Sequence, residues 1–137
     1  MGSINKIAVL YGGSSSEREI SLQSGLGVHK AILELGFESE LIDYRNIKDL
    51  RELKNFDFVF NALHGFEGEG GKLQQNLDDL KILYSGSCPE ACKNTWNKKF
   101  TKEILVRNKI RTPVSLDITF SKQIVENGLQ ANSFDRF

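Results

Sequence analysis

Glu17 and His64 are the two side chains of this sequence whose type and position most suggest chemistry. Glu17 follows the apolar run KIAVLY and a turn of glycines and serines, and His64 follows the apolar run FDFVFNAL. A carboxylate beside a helix N-terminus stays ionised and can hold an ammonium group. A protonated or donating imidazole can bind a carboxylate. Because ligands of parallel α/β sheets bind where the strands end, we expect both groups to face a small polar substrate.

Each of these residues also has a structural interpretation. Acidic side chains are favoured in the first turn of any helix, so Glu17 taken alone has no need of a ligand. A histidine that ends a buried strand, as His64 does, is often packed in the core. Lys98, at the start of a later predicted helix, is a third candidate. A lysine there is usually solvated, although a cation at this end of a helix opposes the helix dipole.

Two glycine-rich turns, GGSSS and GEGG, could bind phosphate through their backbone N–H groups. Neither matches G-x-G-x-x-G, and the sequence has no G-x-x-x-x-G-K-[ST] motif, so both are interpreted as tight turns. Cys88 and Cys92 lie four residues apart, but a metal site needs two more ligands. Since His29 and His64 are far away in sequence, we predict no metal site in the chain.

Strand-like and helix-like segments alternate four times along the chain. This alternation predicts an α/β fold, a Rossmann-like parallel sheet flanked by helices. The first helix should run from Glu17 to about Leu35, with Ser16 and Glu19 forming a capping box at its start. The small residues Ser24 and Gly27 should let this helix approach the sheet closely. The predicted strands are Lys6–Tyr11, Phe37–Tyr44, Phe56–Leu63 and Ile82–Ser85.

The character of the sequence changes at Thr112-Pro113. We therefore predict an N-terminal substrate-binding domain over residues 1–112. Residues 113–137 are interpreted as the truncated beginning of a second domain, because no complete set of elements follows the proline.

Composition and charge exclude several classes of function. Lys and Arg number 18, as do Asp and Glu, so the net charge is zero. That balance argues against a nucleic-acid-binding protein. No apolar run approaches the roughly 20 residues that cross a bilayer, and no signal-peptide segment is present. We expect a cytoplasmic protein that acts on small molecules, without nucleic acid or membrane as a partner.

Taken together, these residues resemble the N-terminal domain of the D-alanine–D-alanine ligase family, which belongs to the ATP-grasp superfamily. The matching segments occur in the family's order over roughly residues 6 to 113. The serine-rich turn leading into EREIS, combined with ALHG at the third strand, is the most specific part. The segments are VLYGGSSSEREISLQSG, VFNALHGFEGEGGKLQ, LYSGS, and NKKFTKEIL followed by RTP.

The resemblance implies a function and a role for each candidate residue. The family joins two D-alanines for peptidoglycan synthesis and cell shape, using ATP and Mg²⁺ or Mn²⁺ through an acyl-phosphate intermediate. Glu17 matches the glutamate near the first substrate's ammonium group, and is thereby a catalytic and substrate-binding residue. His64 matches the histidine that pairs with that substrate's carboxylate. Lys98 matches a lysine that reaches the ATP phosphates.

The same resemblance implies a homodimer at full length and a central ATP-grasp domain beginning near Pro113. The metal ligands and most of the ATP site would then lie outside this chain. We therefore expect these 137 residues alone to be inactive.

Two positions depart from the family pattern, and two other functions stay open. Gly70 stands where an aspartate is usual in the HGxxGEDG motif, and Trp96 stands where methionine is frequent. A D-alanine–D-lactate ligase would share this domain. A stand-alone, non-catalytic Rossmann-like module that binds a nucleotide or a partner protein is the alternative from a different class.

Overall fold

Three parallel strands form the centre of the computed structural model, which describes residues 4–115. The strand that comes first in sequence lies in the middle, so the order is β2-β1-β3. All strand pairs are parallel, which confirms the predicted α/β fold with a parallel sheet. The strands are β1 (Lys6–Tyr11), β2 (Glu38–Asp43) and β3 (Phe58–Asn61).

Five α-helices and two short 3₁₀ helices complete this part of the chain. The long helix α1 connects β1 to β2, and α2 and α3 follow β3 directly. The two 3₁₀ helices, Tyr44–Asn46 and Leu50–Asn55, lie between β2 and β3. The α-helices are α1 (Arg18–Glu34), α2 (Phe66–Glu69), α3 (Lys72–Asp79), α4 (Pro89–Trp96) and α5 (Lys98–Arg107).

The central strand β1 is buried on both faces because its apolar side chains alternate between two cores. Ile7 and Val9 pack with Ile32 of α1 on one face. Ala8 and Leu10 pack on the other face, against side chains of β3, α3 and the second 3₁₀ helix. This two-sided burial explains why KIAVLY is a near-continuous apolar run rather than an alternating one.

The predicted fourth strand, Ile82–Ser85, is reduced to a single bridge. Tyr84 pairs in parallel with Val59 of β3. The Val59 N–H donates to Leu83 O at 2.8 Å, and the Ser85 N–H donates to Val59 O at 2.9 Å. The chain turns away at Gly86, which has a φ of 108° that favours glycine, so the pairing extends no further.

The chain divides into two compact units, Met1–Thr101 and Lys102–Phe137. The sheet and the candidate residues all belong to the first unit. In the described part of the second unit, Lys102 Nζ donates to Thr112 Oγ1 at 2.9 Å and to Pro113 O at 2.6 Å. Within residues 4–115 no helix has both the length and the apolar composition needed to span a bilayer.

Helix α1 approaches the sheet at Gly25, not at Gly27 as the sequence suggested. Gly25 is buried, and a Cβ atom there would lie 2.9 Å from Tyr11 Cγ. Gly27 is exposed, and a Cβ atom there would have no neighbour within 4 Å. The helix therefore contains one glycine that close packing requires and one that it does not.

These two glycines provide a matched pair of substitutions in one helix. Gly25→Ala should destabilise the protein by about 1–3 kcal/mol, because the new methyl group forces the helix away from Tyr11. Gly27→Ala should stabilise it by up to about 1 kcal/mol, because alanine is the better helix former in open space. Urea unfolding monitored by circular dichroism measures both values. Equal effects of the two substitutions would contradict this account of how the helix packs.

Candidate functional site

Glu17 is the N-cap of α1 and lies at the carboxyl end of the central strand. Its side chain makes no capping hydrogen bond, and its backbone N–H donates to Ser15 Oγ at 3.2 Å. The predicted capping box of Ser16 and Glu19 is therefore wrong, because the helix begins at Arg18 rather than Glu17. The exposed Glu17 carboxylate is left beside the positive end of the helix dipole.

His64 lies just beyond β3, the neighbour of β1, so parallel pairing brings it to the same edge of the sheet as Glu17. Its side chain is 35% exposed. Ser24 Oγ lies 3.1 Å from His64 Nε2, and Glu69 Oε1 lies 3.8 Å from Nδ1. Which ring nitrogen donates and which accepts in these two contacts depends on the tautomer of His64.

The turns that carry Glu17 and His64 are in direct contact. Ser15 Oγ donates to the backbone oxygen of His64 at 3.0 Å, so one hydroxyl touches the backbone of both candidate residues. Gly65 has a φ of 79°, and a Cβ atom there would lie 3.2 Å from Glu17 Oε2. The Glu17 carboxylate thus lies close to the glycine that directly follows His64.

A largely buried ion pair joins the serine-rich turn after β1 to the end of β2. Arg18 and Asp43 are joined by two hydrogen bonds, of 3.0 Å through Arg18 Nη1 and 2.6 Å through Nη2. Arg18 Nη1 also donates to Gly13 O at 2.9 Å, and Asp43 Oδ1 accepts from the Gly13 N–H at 3.3 Å. The Arg18 guanidinium lowers the pKa of the Asp43 carboxyl to about 2, against a smaller opposing effect of burial. Arg18 and Asp43 therefore stabilise the conformation of the serine-rich turn.

Within residues 4–115, no hydrogen bond connects Lys98 to the two turns that carry Glu17 and His64. Lys98 is the first residue of α5 and its side chain is exposed. Asn97 caps this helix, since Asn97 Oδ1 accepts from the backbone N–H groups of Lys99 and Phe100. Neither a hydrogen bond nor an ion pair joins Lys98 to Glu17 or His64 there. Glu17 and His64 are thus brought together, and Lys98 is not joined to them.

No metal centre is evident in the described range. Residues 4–115 contain no group of three or more His, Cys, Asp or Glu side chains that could hold a metal ion. His29 Nδ1 lies 2.8 Å from Ser39 Oγ, far from either cysteine in sequence. Cys88 is exposed and Cys92 is buried, and both are free thiols.

Sequence reasoning missed the partners of His64. Ser24 was assigned to the packing stripe of α1, whereas its hydroxyl contacts the imidazole. Glu69 was treated as part of a glycine-rich turn. A five-residue spacing between His64 and Glu69 across two glycines would have been the signal, because such a turn can fold a carboxylate back toward the preceding imidazole.

Curated relatives identify what this part of the chain is similar to. It is 45% identical over 112 residues to the D-alanine–D-alanine ligase of Bordetella petrii, covering 80% of this chain and 34% of the relative. It is 49% identical over 110 residues to that of Moorella thermoacetica, covering 79% of this chain and 35% of the relative. The chain thus spans about a third of the length of these relatives. No family model matches the chain.

Solved structures give the same result. The ATP complex of the D-alanine–D-alanine ligase of Bacillus anthracis superposes with a TM-score of 0.74 at 31% identity, covering 88% of this chain and 44% of that one. The ligase of Aeromonas hydrophila shares the fold, with a TM-score of 0.73 at 24% identity and 93% and 55% coverage. The resemblance inferred from the motifs is confirmed. In sequence and fold, this part of the chain corresponds to the N-terminal domain of D-alanine–D-alanine ligases.

The ion pair at the first turn predicts how stability depends on pH. Because the pKa of Asp43 is lower in the folded protein than in the unfolded chain, its contribution is present above about pH 4 and is lost as the pH falls toward 2. Wild-type protein should lose about 1–2 kcal/mol more than Asp43→Asn over this range. Urea unfolding at pH 4.5 and at pH 2.5 measures the difference.

Asp79→Asn is the matched control, since Asp79 is an exposed carboxylate at the end of α3. This variant should keep the wild-type pH dependence. If Asp43→Asn lost as much stability on acidification as the wild type, the ion pair would not be what holds the turn in solution.

Proposed function

We propose that this chain is the substrate-binding N-terminal part of an ATP-dependent D-alanine–D-alanine ligase. In this proposal Glu17 holds the ammonium group of the first D-alanine and His64 holds its carboxylate. The observation that carries the proposal is the contact between the two turns, in which Ser15 Oγ bonds to the backbone of both Glu17 and His64, in a chain 45% identical to such ligases.

The chemistry of an amino acid matches this arrangement. A zwitterionic amino acid presents a cation and an anion on adjacent carbon atoms, and so needs an anionic group and a donor close together. The Glu17 carboxylate provides the first, beside the positive end of the α1 dipole. His64 provides the second, through a ring held by Ser24 and by the facing carboxylate of Glu69. A side chain at position 65 would press against Glu17 Oε2, so the glycine leaves this carboxylate unobstructed from that side.

ATP fits the proposal through Lys98, whose exposed ammonium group at the start of α5 suits a phosphate oxygen. Mg²⁺ or Mn²⁺ fits less well, because the described residues contain no cluster of metal ligands. The metal would activate phosphate transfer from ligands supplied elsewhere in a ligase. Glu17 and His64 would meanwhile orient the first D-alanine, whose carboxylate is the group that accepts phosphate in the acyl-phosphate mechanism.

The wider biological setting follows from the same proposal. A ligase of this class would act in the cytoplasm, where ATP is made, and its dipeptide would enter peptidoglycan synthesis. It would work as a homodimer at full length.

D-alanine binding by the chain tests the proposed site. Calorimetry or NMR titration should detect D-alanine binding, and Glu17→Gln should weaken it at least about tenfold, because the ammonium group loses its charged partner. Glu19→Gln is the matched control, since it removes the same charge from an exposed position two residues along the helix. Absence of D-alanine binding, or equal weakening in the two variants, would favour the stand-alone module instead.

Catalysis is a separate prediction. The purified 137-residue chain should release no phosphate above background in the presence of ATP, Mg²⁺ and D-alanine. Phosphoryl transfer needs charged groups around the transferring phosphate, and the chain aligns with only about a third of a ligase. A full-length D-alanine–D-alanine ligase assayed in parallel confirms that the assay works. Release that depends on both substrates, and that disappears in Glu17→Gln, would refute the expected inactivity.

A further inference from the structure

A second contact joins the two turns of the candidate site, and it involves Glu67. Glu67 Oε2 accepts a hydrogen bond of 2.7 Å from the backbone N–H of Ser14. The two residues are 53 positions apart in sequence, one in the serine-rich turn after β1 and the other in α2 after β3. Glu67 is half-buried, although it stands in a polar, glycine-rich segment. A charged acceptor makes this a stronger bond than one between neutral groups.

The glycine before Ser14 makes room for this carboxylate. Gly13 has a φ of 73°, and a Cβ atom at this position would overlap Glu67 Oε2. The backbone of Gly13 is already bonded to Asp43 and Arg18 on its other side. The serine-rich turn is therefore held on two sides. The Arg18–Asp43 ion pair binds it on the side of β2, and Glu67 of α2 binds it on the side of β3.

The Glu67 bond lies directly beside the residues proposed to bind substrate. Ser15, the neighbour of Ser14, bonds to the backbone of both Glu17 and His64. The bonds from Ser14 to Glu67 and from Ser15 to His64 are thus two adjacent rungs between the same two turns. The Ser14–Glu67 bond is therefore placed where it can affect the separation of Glu17 and His64.

We propose that Glu67 is a positioning residue that sets the spacing between Glu17 and His64 by holding the Ser14 amide. This inference rests on the proposed function, since D-alanine is the ligand for which the spacing is set. In this role Glu67 acts on the turn and not on D-alanine directly. Its effect passes through the backbone of the serine-rich turn.

The contact can be tested without any ligand. A carboxylate acceptor at 2.7 Å draws an amide proton downfield in the ¹H–¹⁵N spectrum of the chain. The Ser14 amide should move upfield in Glu67→Ala and lie between the two positions in Glu67→Gln, whose neutral oxygen can still accept. An unchanged Ser14 amide in Glu67→Ala would overturn the inference.

The effect on the site is tested with D-alanine as the probe. Glu67→Ala should weaken D-alanine binding about tenfold, and Glu67→Gln should restore most of the affinity because it restores the bond. Glu19→Gln should bind as the wild type does, which excludes a general effect of charge. Rescue by glutamine separates positioning from loss of folding, which circular dichroism checks for each variant.

The outcomes separate this inference from the proposed function. If the wild type binds D-alanine and Glu67→Ala binds it equally well, the positioning role is refuted and the ligase assignment stands. If the wild type does not bind D-alanine, the proposed function fails and the substrate-spacing role fails with it. The Ser14 amide then still reports whether Glu67 holds the turn.

Discussion

The hydroxyl group of Ser21 is the constraint on which the rest of the site depends. It is fully buried, accepts from the Gly12 N–H at 2.9 Å and donates to Ala62 O at 2.7 Å. One side chain of α1 thereby satisfies the backbone at the ends of both β1 and β3, where neither strand can pair further. With Gly25 packed against Tyr11 one turn later, the start of α1 is fixed over the edge of the sheet. The two turns that carry Glu17 and His64 both begin at the backbone groups that Ser21 binds.

Charge is distributed around this edge according to what each residue can contact. Asp43 and Arg18 satisfy each other and the backbone of the first turn, so the pKa of Asp43 is low and its charge is neutralised locally. Among residues 4–115, Glu17 is in no ion pair, and its side chain makes no capping bond. It is the carboxylate of the first turn whose charge remains available to a ligand. A single arginine thus distinguishes the carboxylate that holds the turn, Asp43, from the one that we propose binds substrate, Glu17.

Periodicity and turn chemistry predicted the elements well, and failed where a tertiary contact decided the outcome. The apolar runs gave β1 and β3 because burial on two faces is visible in sequence. Ser16 was predicted to cap α1, but the hydroxyl that bonds at the helix start is that of Ser15, which is held there by the backbone of His64. Helical spacing put Gly27 on the packed stripe, whereas the close approach occurs at Gly25. No local pattern distinguishes these neighbours, because the distinction depends on residues about 14 to 49 positions away.

The two departures from the family pattern turn out to be parts of one contact. A Cβ atom at Gly70 would overlap the ring of Phe66, so the aspartate that is usual in the resembled motif does not fit this arrangement. The Phe66 ring in turn meets the Trp96 ring edge-on, with 5.4 Å between centroids. An aromatic pair of this geometry contributes about 0.5–1.5 kcal/mol beyond the area it buries. It anchors the first residue of α2, the short helix that also carries Glu67 and Glu69. Glycine at position 70 and tryptophan at position 96 therefore act together, and what they hold in place is the helix whose carboxylates face the serine-rich turn and His64.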